Sequence, residues 1–224
     1  MRARIRVIFA CVATVMSLLV PGTAAAATTA PPPWSPAASE GGRAIYAGNG
    51  VRCALGFNVV RSGTYYFLTA GGCAQAGLRI YADPALTVLL GTVAAVTNYK
   101  IALVQYVDPK TQRPGTVHTY PGTQEIVTAG APAAGQRVCR SGPVNHLVCG
   151  PVTATNLTIN LPDGVINGVA QATVCPGELP GAPYFADTKA VGLEIGRSGS
   201  CAGGGSSYFL PVGPVLSAFG VAVY

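Results

Sequence analysis

The chain has 224 residues, room for one or two domains with a sizeable core. Charged residues make up 10% of it and hydrophobic residues 50%, which excludes a disordered polyelectrolyte. Its 29 Gly and 18 Pro argue against a helical bundle and for short strands joined by many turns.

In chain order, Met1–Ala27 reads as a secretory signal. Arg2, Arg4 and Arg6 form a basic start, Val7–Val20 is apolar, Pro21-Gly22 breaks the run, and the small residues of Thr23–Ala27 place cleavage near Ala26 or Ala27. The apolar run falls short of the ~20 residues of a spanning helix, so no stable membrane anchor is expected. The formal charge of +6 reflects 14 basic against 8 acidic residues; without the three signal arginines, 11 against 8 leave +3. That charge is scattered, and nucleic acid is not an expected partner. Of the seven cysteines, Cys11 lies in the signal. The remaining six are an even number bound for an oxidising compartment, which predicts three disulfides whose pairing the spacing leaves open. No zinc-type Cys/His spacing and no phosphate-binding glycine loop occurs, so neither metal nor cofactor is expected.

Thr28–Glu40 is a Pro/Ala/Ser/Thr linker, and the globular part is expected to start near Gly41. Strand-like runs follow: Cys53–Val60, Gly63–Ala70, Leu86–Val96, Ile101–Val107, Val152–Asn160, Val165–Val174, Ala190–Ile195 and Ser207–Leu210. Val212–Phe219 is the one stretch with the character of a helix, and Val221–Tyr224 reads as a closing strand. About twelve short strands predict an all-β molecule of two antiparallel barrels or sandwiches.

Several segments together resemble the secreted chymotrypsin-like serine proteases of actinobacteria, of the streptogrisin and α-lytic type. They are Gly41–Tyr46, Arg52–Val59 with Tyr65–Gly71, Val138–Gly142 with Cys149-Gly150, Ala190–Leu193 with Ser198–Cys201, and Tyr208–Tyr224. The resemblance implies two six-stranded antiparallel β-barrels, 41–120 and 121–224, with a cleft between them and a short C-terminal helix. It also implies the disulfides Cys53–Cys73, Cys139–Cys149 and Cys175–Cys201.

That family works through Ser, His and Asp: a nucleophile, a base, and a carboxylate that orients and charges the base. Here the resemblance sets Gly72 against the His, in Thr69-Ala70-Gly71-Gly72-Cys73. It sets Lys100, just before Ile101-Ala102-Leu103-Val104, against the Asp. It sets Leu179, Pro180 or Gly181 against the Ser, the alignment around a length change leaving all three open. None of these has the required group, and Pro180 also lacks the N–H that an oxyanion hole draws on. In the cleft strand the family's Ser-Gly-Gly reads Ile195-Gly196-Arg197, with Arg197 positioned to project across the cleft or to point to solvent. Lys100 at a former carboxylate site needs a partner, and Glu178 or Glu194 is expected to supply it as an ion pair. The remaining histidines, His118 and His146, read as exposed loop residues away from the cleft.

The expectation is a secreted monomer, outside the cell or at its envelope. The reading is a catalytically inactive protease homologue that binds a peptide, an inhibitor or an envelope partner. Two alternatives stand beside it: an endopeptidase using other residues, and a structural protein without a cleft ligand.

Overall fold

The computed structural model describes residues 39–97, 100–161 and 164–224. The expected signal and most of the expected linker lie outside these. The first described residues already belong to the fold. Ser39 and Glu40 are buried, and Asn58 Nδ2 donates to the Ser39 carbonyl at 2.7 Å. The globular part therefore reaches two residues further toward the N-terminus than Gly41.

The first-barrel strands are β1 (Ala44–Ala47), β2 (Arg52–Ala54), β3 (Asn58–Arg61), β4 (Thr64–Ala70), β5 (Arg79–Tyr81), β6 (Leu89–Val96) and β7 (Ile101–Tyr106). A two-stranded ribbon follows, β8 (Thr116–His118) with β9 (Thr123–Glu125). The second barrel holds β10 (Thr128–Ala129), β11 (Arg137–Arg140), β12 (Val148–Leu161), β13 (Gly164–Ala172), β14 (Pro183–Ala186), β15 (Lys189–Ser198) and β16 (Ser206–Pro211). Helix α1 (Val212–Phe219) and β17 (Ala222–Val223) complete the chain.

The expected ring of six appears in both halves, with additions. In the second, the order β15-β14-β11-β12-β13-β16 closes through a β15–β16 pairing, and β10 joins outside as a parallel neighbour of β15. In the first, the sheet runs β17-β3-β4-β7-β6-β5-β1-β2. Strands β2 and β3 are one bent segment. At the bend, the Leu55 N–H donates to Arg43 O on one side and the Gly56 N–H to Leu68 O on the other. Counted as one strand, they close a ring of six, and β17 adds to its outside. The last strand of the chain thus pairs with the first barrel.

The apolar runs of β4 and β7 follow from burial on both faces. Side chains alternate along a strand, so Phe67, Ala102 and Val104 fill the first barrel while Leu68, Ala70, Ile101 and Leu103 face the second. The inter-barrel core adds Phe57, Phe185 and Leu193, each large side chain contributing about 2–3 kcal/mol by burial. The second barrel is filled by Val138, Val152, Val191, Phe209 and Tyr184, whose ring stacks on Phe209 at 4.2 Å. Three disulfides, Cys53–Cys73, Cys139–Cys149 and Cys175–Cys201, are the pairs the resemblance implied. Among the described residues no helix is long and apolar enough to cross a membrane.

Candidate functional site

Three segments converge where the two barrels meet. Strand β4 ends at Ala70 and runs into a single 3-10 turn, Gly71–Cys73, which the Cys53–Cys73 disulfide ties to β2. The β4–β7 register pairs Ala70 with Ile101, so the next residue outward, Lys100, meets the turn: the Gly71 N–H donates to the Lys100 carbonyl at 3.1 Å. From the second barrel, the loop after Cys175 crosses to the same place. The Ala54 N–H donates to Pro180 O at 2.9 Å, and a Cβ on Gly71 would stand 2.7 Å from Pro180 Cβ. Gly72, Lys100 and Pro180 are thereby brought to one locus.

The locus has little acid–base or nucleophilic chemistry. Gly72 has no side chain, and Val51 occupies its Cβ direction, 2.9 Å from where that atom would be. Lys100 is exposed. The backbone donors are also committed. The Leu179 N–H bonds the Glu178 carboxylate at 2.9 Å, Pro180 has none, and the Gly181 N–H bonds Glu194 O at 2.8 Å. Three successive residues thus offer no N–H to a developing oxyanion.

The expected ion pair of Lys100 with Glu178 or Glu194 is not what these carboxylates make. Glu178, 8% exposed, accepts from the backbone N–H groups of Val144, Asn145 and Leu179. The loop that supplies two of these donors can approach because Gly142 has no Cβ; one there would lie 2.3 Å from Glu178 Cδ. Glu194, 2% exposed, pairs with Arg140 at 3.1 Å and accepts from the Tyr184 hydroxyl at 2.7 Å. Arg140 is wholly buried and also donates to Ser207 Oγ and Cys175 O. The physical reason is depth: a carboxylate inside the barrel needs a cation that is inside too, and Lys100 is at the surface. Burial pushes the Glu194 carboxyl up to about 7, although Arg140 and the Tyr184 hydrogen bond pull the other way.

Arg140 was missed as a functional partner, yet a signal existed. Along β11 it shares the inward parity of Val138, so a charge there points into the barrel.

The two histidines flank Tyr120: His146 is an exposed loop residue, as the sequence reading has it, whereas His118 departs from that reading. His118 lies on β8 and is half-buried, with Nδ1 3.6 Å from Glu40 Oε2. Tyr120 sits between them, edge-on to His118 at 4.3 Å and stacked on exposed His146 at 5.0 Å. Burial, then the charge of Arg43, lowers the His118 pKa, so the imidazole is neutral at neutral pH.

Beside the locus, a pocket of about 260 Å³ opens between the 177–180 loop and β15, lined by Gly177, Glu178, Pro180, Glu194, Ile195, Gly196 and Arg197. It holds every residue the sequence reading placed in the cleft strand. A larger groove, about 700 Å³, is lined by Val96, Leu210, Val215 and Phe219 among others and shares none of these residues.

Comparison with known proteins decides the ancestry. No family model matches the chain. Streptogrisin-D of Streptomyces griseus is 41% identical over 196 residues, covering 82% of this chain and 47% of that protein. Glutamyl endopeptidase 2 of the same organism is 38% identical over 189 residues, covering 82% of this chain and 98% of that protein. The chain belongs to the streptogrisin and α-lytic type of chymotrypsin-like serine proteases. Among solved structures, an α-lytic protease homologue, N4, superposes with a TM-score of 0.74 at 35% identity, covering 83% of this chain and 98% of that one. A glutamic-acid-specific serine protease that uses a histidine triad in substrate binding gives 0.76 at 36%, covering 82% and 99%. This chain thus spans about half of streptogrisin-D and nearly all of the two solved structures. The relatives are serine endopeptidases, and with three disulfides the kinship suggests an extracellular setting.

Proposed function

We propose that this chain is a secreted, non-catalytic member of its family that binds an extended peptide in the cleft between its barrels. The observation that carries the reading is the convergence of Gly72, Lys100 and Pro180 on one locus whose neighbouring N–H groups are absent or already bonded. Gly72 takes the place of the base, Lys100 that of the carboxylate. Of the three residues open to the place of the nucleophile, Pro180 is the one whose ring lies against Gly71. A glycine accepts no proton, a lysine in place of Asp repels an imidazolium, and a proline has neither hydroxyl nor N–H. Each loss alone would slow the family's mechanism by several orders of magnitude.

Binding needs less than cleavage does, and what it needs remains. Strand β14 pairs with β15 as far as Pro183 opposite Leu193, Glu194 still bonds the backbone of Gly181 and Ala182, and beyond it β15 pairs with β16, Gly196 opposite Tyr208 and Arg197 opposite Ser207. One edge of Ile195–Arg197 is therefore open to an added strand. A peptide, an inhibitor loop or an extended segment of an envelope protein presents such a strand. We assign residues 1–27 to an export signal on their sequence pattern.

A fluorophosphonate probe tests the loss of catalysis. No labelling of the purified protein is expected. Labelling that disappears on one Ser→Ala substitution in this chain overturns the reading and restores the endopeptidase alternative.

A further inference from the structure

We propose that the pocket beside β15 takes the side-chain carboxylate of a bound peptide on the guanidinium of Arg197. The inference rests on the peptide-binding reading above and assigns its ligand chemistry. Arg197 is exposed and reaches from β15 across to the loop that forms the opposite wall. Its Nη1 lies against the Cβ face of Gly177: a Cβ there would stand 2.5 Å from it, and Gly177 itself holds φ +105°. The glycine makes room for the guanidinium at the pocket mouth.

The charges lining the pocket are unequally engaged. Glu178 is satisfied by three backbone N–H groups, and Glu194 by Arg140 and Tyr184. Arg197 makes no hydrogen bond or ion pair among the described residues, so it is the charge the pocket has left to offer. A guanidinium presents a planar fork of donors that matches a carboxylate two bonds at a time. A lysine or arginine side chain entering the same space would meet that positive charge and find both carboxylates already bonded. The volume, about 260 Å³, lies below the range of drug-sized ligands and suits one short side chain.

Fluorescently labelled acetyl-Ala-Ala-Pro-X-amides with X = Glu, Gln or Lys test this by equilibrium anisotropy, with wild type and Arg197→Gln. A fourth peptide ending in a free Ala carboxylate separates a side-chain acid from a terminal one. The Glu peptide is expected to bind wild type at least tenfold more tightly than the Gln peptide, with the Lys peptide weakest. Arg197→Gln is expected to remove that preference, leave the Gln peptide within about twofold and keep the thermal midpoint. Equal binding of the Glu and Gln peptides, a preference that survives Arg197→Gln, or tight binding of the free-acid peptide alone overturns the assignment while leaving the peptide-binding reading intact. Failure of all four peptides to bind overturns the peptide-binding reading and the assignment with it.

Discussion

Arg140 and Glu194 lie buried together in the second barrel, and the titration of Glu194 is open to measurement. The fold raises the Glu194 carboxyl from its ordinary 4.5 to about 7, with burial as the main cause. The native state therefore keeps a proton over a range where the unfolded chain has released it. The stability this proton contributes is complete below about pH 4.5 and is lost as the pH rises through 7. Denaturant midpoints measured from pH 4.5 to 7 should fall in wild type, and Glu194→Gln should flatten that slope. An equal slope in both places the titration elsewhere. The same residues mark a limit on what sequence can reveal. Glu194 was recognisable as a carboxylate in need of a cation, but its partner lies 54 positions away on another strand. Choosing Arg140 over Lys100 required knowing which cation faces inward. The parity of Val138 and Arg140 held that information, and the resemblance drew attention to the positions set against the family's active site instead.

The elements that bring the site together do so through close backbone approaches that leave no space for side chains. Gly181 sits at φ +89°, where a Cβ would stand 2.6 Å from Ala54 O. Because that contact joins the second-barrel loop to β2, Gly181→Ala is expected to cost about 1–3 kcal/mol, from overpacking and from a left-handed backbone an L side chain resists. A denaturant melt checks it; a loss under 0.5 kcal/mol would mean that the loop yields freely. Strands buried on both faces, β4 and β7, were legible as apolar runs. Helix α1 was legible to the residue, because Gly220 ends it at φ +62°, its N–H reaching the carbonyls of Leu216 and Ser217. Pro214 fits the first turn, where a missing N–H costs nothing. The ribbon of β8 and β9 and the short β10 were not legible. They are polar, two or three residues long, and defined by their partners rather than by alternation. The cluster of His118, Tyr120 and His146 was hidden for the same reason, since a ribbon and a distant loop had to be placed side by side first.

For the molecule as a whole, the proposed function separates the fold from the family's chemistry. Two six-stranded rings, an inter-barrel core built from Phe57, Leu68, Leu103, Phe185 and Leu193, and three disulfides keep the family's architecture. At the meeting point of the barrels stand Gly72, Lys100 and Pro180, which the proposed function sets in the place of its reagents. Architecture depends on many apolar positions that tolerate exchange, whereas catalysis depends on a few groups that do not. The architecture was therefore readable from patterned runs and flanking motifs. The site was readable only as a set of departures at Gly72, Lys100 and one of Leu179, Pro180 and Gly181, whose proximity the folded chain supplies. The most direct test of the account is to saturate the purified protein with a longer peptide carrying Ala-Ala-Pro-Glu at its centre, incubate the complex at length, and recover the peptide for mass spectrometry. The account predicts a peptide that is bound and returned intact; cleavage products that accumulate with time and vanish on a single Ser or Thr substitution in this chain would contradict it.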